Sequence, residues 1–255
     1  MRHYKMQKAV LYVCHGSRVK EARDEAVDFI TSCKVHVDAE IQEISFLELA
    51  EPSIQEGFAA CVERGATHIA VVPLLLLTAV HAKKDIPGEI DNCMEAYPEI
   101  SVSYGRPIGV HDKMIESVIL HLSSMVDHVV LIGRGSSDPA VKRDLGTIAE
   151  KVRQRSGMKT VQTCFLTACE PSFTRALEDR SDTREPVLFI PYLLFTGLLM
   201  KEIQMKINRI GNPHLQLGKY LGYNHLVREA FVERTHEALS SPLYRRGEQF
   251  VAADA

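Results

Sequence analysis

Three side chains of the kind that bind transition metals stand at the ends of three separate apolar stretches of this chain: His15, Glu48 and His81. Imidazole nitrogen and carboxylate oxygen are ligands for iron, cobalt, nickel and zinc. Three protein ligands leave a coordination position open, whereas a structural site is normally closed by four. The three residues therefore predict an open site for a divalent ion that is used or passed on. Taken singly, each also fits an ordinary role, a turn histidine or a solvent-facing carboxylate.

The second half of the chain repeats the first but does not repeat these three residues. Three segments recur at an offset of about 119 residues: 10–17 as 129–136, 46–53 as 165–172 and, one residue out of step, 73–81 as 191–199. The equivalent positions hold residues unsuited to a metal, namely Arg134, Thr167 and Leu199. Packing explains the repeated apolar frame. The residues found in one copy alone need another reason, and a metal supplies it.

Alternating strands and helices must position these residues. Residues 9–13, 43–49, 68–77 and 100–104 are short apolar runs typical of strands, with helical spacing between them. The nearly continuous Ile, Val and Leu content of 68–77 indicates burial on both faces, as in a parallel sheet covered by helices. Ligands bind such sheets beyond the carboxyl ends of the strands. We therefore expect the three residues to converge on one rim.

The repeat divides the 255 residues into two domains of similar size. We expect an N-terminal domain over residues 1–125 that carries the metal site, and a C-terminal domain over 126–255 that lacks the histidine ligands. Each is predicted to be a doubly wound α/β domain with a parallel sheet.

Several loop residues have simpler interpretations. Ser17 is predicted to cap the helix after His15. Residues 133–137 (GRGSS) precede a helix, where backbone amides attract anions. They match neither complete phosphate-binding pattern and are explained as the repeat of the His15 turn. Lys83 and Lys201 are interpreted as solvated residues of a first helical turn.

Composition excludes several classes of function. A net charge of −3 gives no electrostatic footprint for nucleic acid. The longest apolar run, residues 69–80, is too short to cross a membrane and contains Pro73. The six cysteines have no zinc-site spacing and indicate a reducing compartment. With no export signal at the start, we expect a cytoplasmic protein.

Taken together, the motifs identify a family. The chain resembles the class II tetrapyrrole chelatases, and within them the long, internally duplicated sirohydrochlorin ferrochelatases of siroheme synthesis. The resemblance covers nearly the whole chain and rests on residues 13–18 (VCHGSR), 43–48 (EISFLE), 71–83 (VVPLLLLTAVHAK), 131–138 (LIGRGSSD) and 191–197 (PYLLFTG).

The resemblance implies two flavodoxin-like domains that face each other across a central cleft. It implies a lyase-class enzyme that inserts Fe²⁺ into sirohydrochlorin and releases two protons, with Co²⁺ or Ni²⁺ as further candidate ions and no organic cofactor. On this basis we expect His15 to be a metal ligand and proton acceptor and His81 the second ligand. Glu48 would help to hold the cation or accept a proton.

The substrate of that family carries eight carboxylates, so the site must present positive charge or donors. We expect Ser17, Arg18, Arg106 and Arg134 to contribute. One departure from the family pattern is Cys14, where a glycine is expected before the first histidine. We interpret Cys14 as a small buried side chain; a thiolate there would instead favour softer metals.

Three alternatives remain at this point. The first is cobalt insertion for cobalamin synthesis, against which residues 249–255 contain no histidine-rich tail. The second is a protein that carries a metal or tetrapyrrole without catalysis, since a fold alone does not specify a function. A nucleotide-binding domain is the third. Because duplication supplies both walls of a cleft in one chain, we expect a monomer.

Overall fold

The computed structural model describes residues 7–247 as two compact units of alternating strands and helices. The strands are β1 (Lys8–Cys14), β2 (Ile41–Phe46), β3 (His68–Leu74), β4 (Ser101–Tyr104), β5 (His128–Gly133), β6 (Thr160–Phe165), β7 (Val187–Pro191) and β8 (Leu215–Leu217). The helices are α1 (Lys20–Lys34), α2 (Ile54–Glu63), α3 (Ile86–Ala96), α4 (Asp112–Ile119), α5 (Pro139–Ser156), α6 (Phe173–Glu178), α7 (Leu198–Ile210) and α8 (His225–Ser240). A π-helical turn, His81–Asp85, precedes α3.

Each unit is built on a four-stranded parallel sheet, which confirms the predicted α/β class. The strand orders are β2-β1-β3-β4 and β6-β5-β7-β8, so both sheets have the same topology. In the first sheet every residue of β3 is buried. This burial follows from the apolar run that the sequence carries there, because helices must cover both faces of a parallel sheet.

The strand order also locates the natural binding crevice of the first unit. The chain leaves β1 toward β2 at one edge and returns to β3 on the other side of β1. Ligands of open α/β sheets bind where the order reverses in this way, beyond the carboxyl ends of the two diverging strands. That point lies between the ends of β1 and β3.

The compact units do not coincide with the predicted segments 1–125 and 126–255. Among the described residues, one unit comprises 7–109 together with 228–247, and the other comprises 110–227. The short helix α4 packs on α5 in the second unit. The last helix, α8, completes the first unit, which is therefore discontinuous in sequence.

Aromatic packing explains why α8 belongs to the first unit. The ring centroid of Phe231 lies 5.9 Å from that of Tyr12 and 5.6 Å from that of Phe29. The buried guanidinium of Arg234 donates two hydrogen bonds to the carbonyl oxygen of Ile108, from Nε at 3.0 Å and from Nη2 at 2.8 Å. Helical periodicity alone does not reveal which sheet such a helix will cover.

The first two helices differ in how their starts are capped. Ser53 and Glu56 form a capping box at α2, as each side chain accepts a hydrogen bond from the other's backbone N–H. The prediction that Ser17 caps α1 was wrong. Helix α1 begins at Lys20 after an extended Val19, and the Ser17 hydroxyl accepts from the Val19 N–H inside the preceding turn.

Across residues 7–247, no helix combines the length and the apolar character that crossing a membrane requires.

Candidate metal centre

His15 is positioned by a turn whose backbone packs directly against the backbone of the loop after β2. Gly16 has φ +96°, a left-handed conformation that favours glycine. A Cβ atom at Gly16 would overlap the carbonyl oxygen of Glu48. The Glu48 N–H donates to the His15 carbonyl oxygen at 3.1 Å, so the backbones of the two candidate ligands are joined directly.

Glu48 sits on a loop whose backbone is held at both ends. The N–H of Leu47 donates to the Cys14 carbonyl oxygen at 2.8 Å, and the N–H of Phe46 donates to that of Pro52, also at 2.8 Å. Leu49 adopts φ +61°, which is uncommon for a residue other than glycine. The loop directs a half-exposed carboxylate toward His15.

His81 opens the π-helical turn that follows β3. The N–H of Ile86 donates to the His81 carbonyl oxygen, which closes the wider i to i+5 turn. Single π-helical turns are rare and occur frequently at functional sites. The turn lies beyond the carboxyl end of β3, and His15 lies beyond that of β1, so the two histidines flank the crevice described above.

The three predicted ligands meet in space. One ligand atom from each of His15, Glu48 and His81 can be chosen so that all three lie within 4.8 Å of one another. Nδ1 of His15 is 3.5 Å from Oε1 of Glu48. The two imidazole rings are 4.7 Å apart between centroids and nearly perpendicular, at 87°.

This spacing suits a first-row metal ion. Ligand atoms at about 2.1 Å from a tetrahedral ion stand about 3.4 Å apart, so small side-chain adjustments close the set around a cation. The side chains are partly exposed, at 22% for His15, 47% for Glu48 and 32% for His81. An ion at this place can be reached from solvent and held by three protein ligands.

A carboxylate that the sequence analysis missed contacts one of the histidines. Oδ2 of Asp85 lies 2.6 Å from Nδ1 of His81. The signal was present in the sequence, because residues four apart in a helix share a face. It was overlooked because the segment after His81 was interpreted only as a charged helix.

The side chain of Cys14 lies away from solvent. Its side chain is buried at the end of β1, and burial raises the pKa of the thiol to about 12. A neutral thiol is a weak metal ligand compared with a thiolate. This geometry favours the interpretation of Cys14 as a small buried side chain.

The four residues predicted to bind substrate carboxylates have different surroundings in the structure. Arg106 pairs with Glu237 of α8, with Nε 3.0 Å from Oε2. Arg18 is exposed beside the His15 turn. Arg134 is exposed in the second unit. Ser17 is engaged in its own turn. Contact of these four residues with substrate carboxylates stays a prediction.

The second unit contains a loop pair with the same backbone and different side chains. The N–H of Thr167 donates to the Arg134 carbonyl oxygen at 3.0 Å, as Glu48 does to His15. The N–H of Leu166 donates to the Gly133 carbonyl oxygen at 3.0 Å, as Leu47 does to Cys14. The duplication therefore preserved the frame of the site and not its ligands.

Comparison with known proteins places this architecture among chelatases. The family model described as CbiX matches the chain twice, over residues 9–124 and 128–238. The sirohydrochlorin ferrochelatase of Bacillus subtilis is 47% identical over 244 residues, covering 92% of this chain and 94% of that protein. A sirohydrochlorin cobaltochelatase of Priestia megaterium is 34% identical over 252 residues, covering 93% and 81%.

Solved structures agree with this result. SirB from Bacillus subtilis with Fe³⁺ superposes with a TM-score of 0.87 at 47% identity, covering 92% of this chain and 96% of that one. The sirohydrochlorin chelatase SirB from Bacillus subtilis subspecies spizizenii, in complex with cobalt, gives 0.84 at 46% identity, covering 93% and 97%.

Proposed function

The chain belongs to the CbiX family of class II chelatases, and from that premise we propose that it is a sirohydrochlorin ferrochelatase, which inserts Fe²⁺ into sirohydrochlorin to form siroheme. The single observation that carries the proposal is the convergence of His15, Glu48 and His81 at the crevice between β1 and β3. The ion is a substrate of the reaction. No organic cofactor takes part in it.

The three side chains divide the work of binding the ion and moving protons. His15 and His81 bind Fe²⁺ through neutral imidazole nitrogens, and Glu48 supplies negative charge that offsets the charge of the cation. Two pyrrole N–H groups of the macrocycle lose their protons as the ion enters. His15 accepts one once its nitrogen has released the ion, because a neutral imidazole is a competent base near neutral pH, and Glu48 is proposed to accept the other.

Partial exposure of the three ligands supports insertion rather than storage. Three protein ligands leave coordination positions to which the macrocycle nitrogens can bind. A closed site of four protein ligands would retain the ion. The transfer then proceeds by exchanging protein ligands for pyrrole nitrogens.

The carboxylates of the macrocycle require donors near the site. Arg18, next to the His15 turn, and the hydroxyl of Ser17 are the nearest of the predicted residues along the chain. Arg134 is a further proposed contact. Arg106 can contribute only by giving up or sharing its ion pair with Glu237.

Cobalt insertion is the second candidate function. It is favoured by the cobalt complex of a relative that is 46% identical to this chain. Fe²⁺ is preferred because the ferrochelatase relative is 47% identical and the cobaltochelatase relative 34%.

We further propose that the protein acts as a monomer in the cytoplasm. Duplication within one chain supports the first point. The second is supported by the six cysteines, all free in the structure, which fit a reducing compartment.

The test follows the absorbance of sirohydrochlorin with Fe²⁺ or Co²⁺ under anaerobic conditions. Intact protein is expected to accelerate metallation, and the ratio of the two rates identifies the preferred ion. The double variant His15→Ala, His81→Ala should return the rate to that of the uncatalysed reaction. Leu199→Ala, at the repeat position of His81, is the matched control and should retain activity.

Equal slow rates of metallation with the intact protein and the double variant would contradict the proposal that the protein is a chelatase. If the intact protein still bound both the ion and the macrocycle, its function would instead be that of a non-catalytic carrier.

A further inference from the structure

The contact between Asp85 and His81 has a function that stability does not explain. The two side chains are 45% and 32% exposed. Exposed ion pairs of this kind contribute little to folding, typically less than about 1 kcal/mol. The distance from Oδ2 to Nδ1 is nevertheless 2.6 Å, shorter than the roughly 2.9 Å of an ordinary N–H···O hydrogen bond.

The contact determines which ring nitrogen carries hydrogen. An ionised carboxylate can only accept a hydrogen bond, so Nδ1 of His81 must be the donor. A neutral imidazole with hydrogen on Nδ1 has its lone pair on Nε2. The contact therefore leaves Nε2 of His81 as the metal-binding atom and fixes the plane of the ring.

The π-helical turn supplies this contact. His81 is its first residue and Asp85 its last, and the bond from the Ile86 N–H to the His81 carbonyl oxygen closes the turn. Both partners thus belong to one hydrogen-bonded turn.

His15 has a different environment. Its Nδ1 lies 3.3 Å from the carbonyl oxygen of Gly16 and 3.5 Å from Oε1 of Glu48. Both distances exceed the 2.6 Å between His81 and Asp85. The contact between His81 and Asp85 is therefore the shortest of the three.

The internal repeat links the carboxylate to the histidine. Leu199 stands at the repeat position of His81, and at the same offset Ile203 stands at that of Asp85. Ile203 is fully buried, and α7 is α-helical throughout Leu198–Ile210. The imidazole, its carboxylate and the π-helical turn occur together in one copy and are all replaced in the other.

We propose that Asp85 is a positioning residue for metal binding, which holds His81 in the tautomer that presents Nε2 to the ion. The inference rests on the proposed role of His81 as a ligand. Carboxylates behind metal-binding histidines fix the tautomer and strengthen the ligand, and their loss typically weakens metal affinity by about 10–100-fold.

The first measurement is the tautomer of His81 in the metal-free protein, read from long-range ¹H–¹⁵N correlation spectra. Intact protein should show hydrogen on Nδ1. Asp85→Ala should shift the ring toward hydrogen on Nε2. Asp85→Asn, whose amide oxygen can still accept from Nδ1, should lie between the two. This readout does not depend on catalysis.

The second measurement is Co²⁺ affinity by absorbance titration without tetrapyrrole. Asp85→Ala should bind Co²⁺ about 10–100-fold more weakly than intact protein, with Asp85→Asn intermediate. In turnover, KM for the metal should rise while KM for sirohydrochlorin stays unchanged. Asp179→Ala, which removes an exposed carboxylate paired with Arg175 four residues earlier, is the control and should change neither.

An unchanged tautomer or unchanged Co²⁺ affinity in Asp85→Ala would overturn the proposal. If the intact protein binds Co²⁺ through an oriented His81 but does not accelerate metallation, the proposed ferrochelatase activity is wrong. The proposed positioning of His81 by Asp85 is then still supported. The two failures are thereby distinguishable.

Discussion

The His15 turn and its repeat around Arg134 have almost the same backbone and opposite chemistry. Gly16 and Gly135 have φ values of +96° and +91°. In both places a Cβ atom would overlap a carbonyl oxygen of the facing loop, that of Glu48 or that of Thr167. The shape of these loops is therefore set by backbone packing and is independent of metal binding.

The loops that carry Glu48 and Thr167 also have similar backbones. Leu49 and Ala168 have φ values of +61° and +56°. Strain that recurs in a copy without ligands belongs to the fold. The two copies differ in the three candidate ligands and in one helical turn. A comparison of paired variants in the two units separates what the frame requires from what the chemistry requires.

The largest effect is expected when the turn itself is altered. Gly16→Ala introduces a side chain at positive φ that overlaps the Glu48 carbonyl oxygen, so the two loops must separate. Co²⁺ binding should be lost. The free energy of unfolding should fall by at least about 1–3 kcal/mol, as measured by urea denaturation.

Gly135→Ala is the matched variant, with equal strain in the copy that lacks ligands. It should lose similar stability and keep Co²⁺ binding. If both variants lost Co²⁺ binding to the same extent, the frame and the chemistry could not be separated in this way.

A smaller effect is expected from the carboxylate alone. Glu48→Ala removes one ligand but leaves the backbone contacts of the loop. Affinity for Co²⁺ should fall by no less than the roughly 10–100-fold cost of losing a supporting residue. Because Glu48 is half-exposed, the free energy of unfolding should change by no more than about 0.5 kcal/mol.

Thr167→Ala occupies the repeat position and should alter neither Co²⁺ affinity nor stability. Unchanged Co²⁺ affinity in Glu48→Ala would remove the carboxylate from the ligand set and leave two histidines.

The smallest effect on the site is expected at Cys14. Burial raises the pKa of the Cys14 thiol to about 12, above its value of about 8.5 in an unfolded chain. The neutral thiol therefore stabilises the folded state below about pH 8.5, and this contribution is lost as the pH rises toward 12. Cys14→Ala should reduce the alkaline decline in unfolding free energy by up to about 1.4 kcal/mol per pH unit.

Cys164→Ala, which removes a buried thiol of the second unit whose pKa burial also raises to about 12, should have the same effect. Neither variant should alter Co²⁺ affinity at pH 7. A large loss of affinity in Cys14→Ala alone would mean that the thiol contacts the ion.

The sequence was sufficient for the parts of the fold that depend on local pattern. Continuous apolar runs predicted the buried strands, and the ends of those runs predicted where His15, Glu48 and His81 would meet. The π-helical turn was not predicted, because one turn with i to i+5 hydrogen bonds in place of i to i+4 does not change the hydrophobic periodicity of the sequence. Asp85 was missed for another reason: its i to i+4 spacing from His81 was visible, but the segment was interpreted only as a charged helix.

Long-range packing was beyond the reach of local pattern. Nothing in the spacing of α8 indicates that Phe231 covers Tyr12 and Phe29 rather than the nearer sheet. Arg106 was selected for its charge, and its pairing with Glu237 could be seen only after α8 was placed. Such partners are separated by more than a hundred residues in the chain.

The return of α8 to the first unit also sets an order of events during synthesis. At 5–20 residues per second, the ribosome adds Phe231 roughly 6–25 s after it has passed residue 109. Until then the rings of Tyr12 and Phe29 lack their contact with Phe231, although all three candidate metal ligands have already been synthesised. The unit that contains the three candidate ligands is thus begun before the second unit and completed after it.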